Sequence, residues 1–189
     1  MIINLESRTY NMETLTPYLR RKREAIERRM RGLDPATIEP TEVRAVAAVR
    51  PNSGVRRIQI RDHQVLTDSP AEGAGDDLGP SSPELQLGVL ASCLAHVFVT
   101  HAAALEVPLS AVEVEVEARI DDRARMPGHE RTPIYPHHIS YIVRVESSAP
   151  QEIMADLHEL VERNCPILNL LKEPQVVSGK LIHEGYADE

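Results

Sequence analysis

Tryptophan is missing from this sequence, phenylalanine occurs once, and aromatics make up only 3% of 189 residues. A core built from this chain must therefore be aliphatic. Cysteine occurs twice, at Cys93 and Cys165, too few for the disulfide framework of a secreted domain. No apolar run reaches the roughly 18–20 residues that span a bilayer. The start, MIINLESRTY, lacks the basic segment and apolar stretch of a signal peptide. These absences predict a cytoplasmic protein with no membrane partner. Positive charge is also short: 21 Lys and Arg against 29 Asp and Glu give a net charge of -8. That balance makes nucleic acid an unexpected partner, since such binders are usually basic.

What is there is 42% apolar and 26% charged residues, the composition of a soluble globular domain. Residues 12–32 predict a helix with a broken stripe of Leu15, Leu19, Ile26 and Met30, ended by Gly32. Its cations, Arg20, Arg21, Lys22, Arg23, Arg28, Arg29 and Arg31, read as a solvated face, with an anion- or RNA-binding helix as the other option. LDPATIEP then reads as a linker, so residues 1–40 form an N-terminal helical arm and linker and 41–189 the main domain. TEVRAVAAVR, VRRIQIRD and VLTD predict strands, with a turn at PNSG. The Gly-, Pro- and Asp-rich stretch that follows is long enough to suspect a role near a site.

The segment PELQLGVLASCLAHVFVTHAAALEV predicts a helix capped at Ser81 or Ser82, with Glu84 in its first turn. It is apolar on nearly every side, the pattern of a buried helix. AVEVEVEARI alternates with period two and predicts a half-exposed antiparallel strand. HHISYIVRVESS predicts its companion. A helix follows, with Ser148 and Gln151 as a possible capping box, then a second short helix behind Pro166 and a closing strand over QVVSGKLIHEG. Strands arriving in consecutive pairs define an α+β fold with antiparallel sheets.

The candidate chemistry centres on sulfur. Cys165 precedes Pro166 at a helix start, where backbone N–H groups favour a thiolate. Cys93 lies well inside its helix, and a reactive thiolate there needs a cation from elsewhere; burial otherwise raises its pKa. Spacing alone leaves two options open, buried structural cysteines or a reactive pair. His96 stands three residues after Cys93 and permits a Cys–His dyad, or it is a buried histidine bonded to a neighbour. His129, His137 and His138 invite a metal reading with Cys165, but adjacent strand residues point to opposite faces. No metal and no organic cofactor is expected.

The stretch HQVLTDSPAEGAGDDLGPSSPELQLGVLASCLA, followed by VEVEVEARI and later by NCPILNLL, resembles the OsmC/Ohr family over roughly residues 42–184. The resemblance implies an OsmC-like fold, with antiparallel sheets wrapped around long central helices in an intertwined homodimer that carries two sites at its interface. It implies a thiol-dependent peroxidase acting on organic hydroperoxides and regenerated by a dithiol reductant. Cys93 becomes the peroxidatic residue and Cys165 the resolving one. The family's arginine–glutamate pair falls to Arg56, or second to Arg50, with Glu84 as the acid. Glu84 stands nine residues before Cys93, where the family typically places its acid about ten before, a position held here by Pro83. The alternative is a non-enzymatic dimer of the same fold that binds a small apolar ligand or a partner protein. A metal- or dyad-dependent hydrolase is a third reading.

Overall fold

A computed structural model describes residues 15–183. The segment read for a leader, the first residues of the predicted N-terminal helix and the end of the main domain lie outside that range.

The first helix, α1, runs over Thr16–Arg31. Its Pro17 suits a first turn, because the missing N–H has no helical acceptor there. Gly32 ends it, with its N–H turned back to Arg29 O. Only Leu19 of this helix is buried, within the main hydrophobic cluster, so the helix of the predicted arm lies on the body of the fold. Its cations mostly face solvent. Arg23 pairs with Glu27 at 2.9 Å and with Glu106, and Arg21 and Lys22 approach the Tyr18 ring within 5.9 and 5.7 Å.

Three short strands follow, β1 (Val46–Val49), β2 (Arg56–Ile60) and β3 (His63–Thr67). They form one antiparallel sheet in the order β1-β2-β3. Val49 lies opposite Arg56, and Arg56 opposite Thr67. None of these strands belongs to the main packed interfaces, in which α2 meets α1 and the later helices and strands and those later elements meet one another. Val46, Val49, Ile60 and Leu66 are exposed in consequence.

The central helix, α2, spans Ser82–Ala104. Ser81 is the N-cap, one of the two candidates, and with Glu84 it forms a capping box that the sequence reading did not propose: Ser81 N donates to Glu84 Oε2 at 2.7 Å and Glu84 N to Ser81 Oγ at 3.4 Å. Leu90, Leu94, Val97, Phe98, Ala102 and Ala103 are buried. Fully burying a side chain such as Leu94 or Phe98 stabilises by roughly 1.5–3 kcal/mol. Two expectations need correction. Gly88, Val89, Ser92 and His96 are exposed, so α2 is not buried all round within one chain. By length and mean hydropathy α2 also passes the test for a membrane span; counting only uninterrupted apolar residues hid this, because its polar residues are few and mostly uncharged. A core helix of a soluble protein passes the same test, and α2 is packed here by α1, by a sheet and by two further helices.

That sheet pairs β4 (Ala111–Arg119) with β5 (His137–Glu146), antiparallel and with a register shift between Glu117 and Arg119. Val112, Val114 and Val116 pack against the core while Glu113, Glu115 and Glu117 face out, as the period of two predicts. Two helices close the described fold, α3 (Gln151–Asn164) and α4 (Pro166–Lys172). The predicted Ser148–Gln151 box does not form. Pro150 is the N-cap of α3, and Ser147 Oγ instead accepts from Ala149 N at 3.0 Å. Among the described residues the predicted closing strand does not form either. Residues 173–183 are irregular, with Val176, Val177, Leu181 and Ile182 exposed; an apolar run needs a ladder partner to become a strand, and none lies beside it.

Candidate functional site

Cys93 and Cys165 meet. Their sulfurs lie 3.5 Å apart, and both are free thiols. Cys93 sits midway along α2 and is half-buried; Cys165 is completely buried. Cys165 is the single residue between α3 and α4, the C-cap of one and the N-cap of the other. Pro166 dictates this elbow. It has no N–H to continue α3, and it pushes the preceding residue out of the helical region. Cys165 accordingly has φ -76° and ψ 111°.

Burial pushes the Cys93 thiol above its ordinary value, and the adjacent Cys165 adds to this; the backbone N–H of Ile167, in the first turn of α4, acts the other way. Two thiols in contact cannot both ionise readily, since each charge disfavours the other. Among the described residues no guanidinium contributes at Cys93. The sulfur pair foreseen from the sequence is therefore in place, while the cation it calls for is not supplied beside Cys93 within one chain.

Of the two candidate arginines, Arg56 opens β2 and Arg50 follows β1 at the turn. Arg56 points along the sheet into the loop after β3. Its Nε donates to Thr67 Oγ1 at 3.2 Å, Nη1 to Gly54 O at 2.9 Å and Ser69 Oγ at 3.3 Å, and Nη2 to Asp68 O at 2.8 Å. A guanidinium has five N–H donors, so one on Nη2 remains. Arg50 is exposed at the β1–β2 turn, lining a groove of about 400 Å³ with Val49, Val55, Arg57 and Leu66. Glu84 is exposed, and hydrogen bonds from the Ser81 side chain and the Ser81 N–H hold its carboxylate below the ordinary value. It acts here as a helix cap and touches neither arginine within one chain.

Sequence reasoning missed the residue that organises the loop. Asp68 is wholly buried, and its carboxylate accepts from Ser69 N (2.8 Å), Asp76 N (3.1 Å) and Leu78 N (3.2 Å). These bonds and the nearby Arg56 hold it below the usual carboxylate range. The chain passes so closely that a Cβ at Gly75 would lie 1.8 Å from Ser69 O, and one at Gly79 2.7 Å from Leu66 O. An aspartate just ahead of a Gly-rich loop was the available signal.

A second missed group lies by Cys165. Tyr141 Oη donates to Glu162 Oε1 and lies 3.3 Å from His158 Nε2, and the His158 ring stacks on Phe98 with centroids 5.8 Å apart. The phenol has one proton and gives it to the carboxylate, so its oxygen accepts from the imidazole. Burial and the carboxylate of Glu162 raise the Tyr141 pKa.

The other histidines do not assemble into a site. His96 is exposed rather than buried, and no hydrogen bond joins it to Cys93. Burial and Lys22 lower its pKa. The opposite-face argument for His137 and His138 fails, because His138 has φ 54° and the two Nδ1 atoms lie 2.6 Å apart. Even so, among the described residues no group of three or more metal-ligating side chains forms.

The frame is an α+β fold that holds two free thiols in contact, one on a central helix and one at a Cys-Pro elbow. The family model for OsmC-like protein matches residues 74–179, more than half of the sequence, and the chain belongs to that family. No curated protein matches it. Among solved structures it is similar to an OsmC-like protein from Mycoplasma pneumoniae, with a TM-score of 0.60 and 15% identity over 71% of this chain and 89% of that one. It is similar to an organic hydroperoxide resistance protein from Legionella pneumophila, with a TM-score of 0.50 and 15% identity over 71% and 92%. A Vibrio cholerae OsmC-like protein of unknown function gives 0.52 and 13% over 69% and 93%. At these identities the likeness shows the fold.

Proposed function

We propose that this chain is a thiol-dependent peroxidase that reduces organic hydroperoxides and protects against oxidative stress. The observation that carries this reading is the 3.5 Å approach of a half-buried thiol to a buried one. The Cys93 thiolate attacks one peroxide oxygen: an S–O bond forms, the O–O bond breaks, and the alkoxide takes a proton to leave as an alcohol. Cys165 then attacks the sulfenic sulfur, forming the disulfide and releasing water. A dithiol reductant returns two electrons and two protons. The apolar side chains about Cys93, Val89 and Leu90 among them, suit an alkyl substrate. The half-buried Cys93 is the sulfur a substrate reaches, and the hidden Cys165 is protected until the first step is complete.

The missing cation fits a homodimer. Among the described residues, the sheet with Arg56 and the Arg50 turn has no substantial interface with a helix, and α2 leaves Val89 and Ser92 uncovered. In this reading the sheet of one copy lies across the helices of the other, and the remaining N–H of Arg56 is delivered to the partner's sulfur, with Arg50 as the second choice. Glu84 caps α2 through Oε2, which leaves Oε1 to accept from an arginine of the site. The protein works in the cytoplasm, where dithiols are available.

One observation favours the second reading, a ligand-binding dimer without turnover: the Cys93 thiol is pushed up, toward the inert form. Dithiol-driven consumption of an alkyl hydroperoxide separates the two. The peroxidase reading expects turnover by the wild type, none by Cys93→Ser, and a trapped sulfenic acid in Cys165→Ser. Wild-type protein that consumes no peroxide rejects it.

A further inference from the structure

Cys165 is fixed by its backbone, while among the described residues its thiol bonds only to Cys93. Its N–H donates to Val161 O at 2.8 Å, and its carbonyl accepts from Asn169 N at 3.0 Å. The Asn169 side chain completes the clamp. Its Nδ2 reaches Cys165 O at 2.8 Å, Glu162 O at 3.1 Å and Arg163 O at 3.3 Å. The Glu162 and Arg163 carbonyls are among the last of α3, the ones a helix end leaves without partners. On the far side Tyr141 of β5 ties Glu162, one turn before Cys165, to the sheet, and His158 ties the same phenol to Phe98 of α2. Three elements are thus locked together at the level of the elbow.

The elbow decides where two groups stand: the Cys165 sulfur, and the Ile167 N–H that reaches Cys93. A disulfide has an S–S length of about 2.03–2.05 Å, so closure from 3.5 Å requires a short approach along a set direction. Rotation of α4 about Cys165 would misplace both groups. Pro166 removes one of the hydrogen bonds that would otherwise resist such a rotation, and the Asn169 amide stands in its place.

We propose that Asn169 and Tyr141 are positioning residues for the sulfur pair: Asn169 clamps the α3–α4 elbow, Tyr141 pins α3 through Glu162, and disulfide closure between Cys93 and Cys165 depends on both. This rests on the reading that the two sulfurs form a disulfide, and not on which oxidant drives it.

The test equilibrates the full chain with mixtures of reduced and oxidised dithiothreitol, with no peroxide present. Two electrons and two protons pass from the protein thiols to the cyclic reagent; one S–S bond forms in the protein and one breaks in the reagent. Asn169→Leu keeps the volume and loses the clamp bonds, so the disulfide equilibrium constant is expected to fall about tenfold. Tyr141→Phe is expected to lower it about threefold. Glu162→Gln keeps an oxygen for the phenol to donate to and is expected to stay near wild type, because the role is geometric. Leu109→Ala destabilises the core away from the elbow and is expected to leave the constant unchanged, which separates positioning from general loss of stability. A wild-type constant in Asn169→Leu, or an equal fall in Leu109→Ala, overturns the clamp. Wild-type protein that closes its disulfide here but consumes no peroxide sinks the peroxidase and leaves the clamp standing. Wild-type protein that forms no disulfide overturns both.

Discussion

The body of the fold buries Leu90, Leu94, Phe98, Leu157 and Val161 around one long helix, whereas the three-stranded sheet and its loop bury only Val55, Thr67 and Asp68. The first region is held by removal of apolar surface from water. The second is held by directed bonds: a carboxylate gathering three backbone amides, and a guanidinium donating to four oxygens around them. The division matters for chemistry. Both sulfurs belong to the self-sufficient body. Both candidate arginines belong to the region whose apolar side chains stay exposed in a single chain. In the proposed homodimer, a site assembled from the two has a nucleophile set in the packed body and a cation that arrives with the partner.

The largest expected break in this comparison is Leu94→Ala. The side chain is wholly buried in the main cluster, and truncation there costs about 2–5 kcal/mol. Denaturant unfolding should show that loss. Native-state hydrogen exchange should show it in α2, α3 and α4 more than in β1–β3; equal acceleration in both would mean the regions unfold as one. Next is Arg56→Lys. A lysine keeps the charge but not the planar fork, and removal of a fixed charge stabiliser commonly costs about a hundredfold in rate. Peroxide consumption should fall by that order while the melting temperature of the body holds. Unchanged turnover would transfer the role to Arg50. The smallest effect belongs to Asp68. Its folded pKa is depressed, so its stabilisation is complete above the ordinary carboxyl value of 3.8 and is lost as pH falls through the depressed value. In an acid titration the Ser69, Asp76 and Leu78 amide signals should shift before those of Leu90 and Leu94, and Asp68→Asn should abolish that early shift.

The parts legible in the sequence were those written in local pattern. The N-cap at Ser81, the alternation of β4 and the Cys-Pro elbow each depend on residues a few positions apart, and the structure bears them out. Asp68 was not legible as a hub, because its partners Asp76 and Leu78 come from a loop whose path no periodicity records. Tyr141 and Glu162 lie 21 positions apart, and nothing in either strand or helix pattern marks them as a pair. The closing strand failed for the opposite reason: its apolar residues match a strand pattern, but a strand exists only where a neighbour takes its hydrogen bonds. The α2 face around Val89 misled in a similar way. Apolar all round does say that a face is to be covered, without saying by which chain.

One titration bears most directly on the central claim. Reduced wild-type protein receives a single equivalent of an alkyl hydroperoxide, and thiols and alcohol are counted afterwards. The account predicts one alcohol released per chain and both thiols lost, with a mass two hydrogens lighter and a single linkage joining Cys93 to Cys165. Two thiols still titratable, with the hydroperoxide intact, would contradict it.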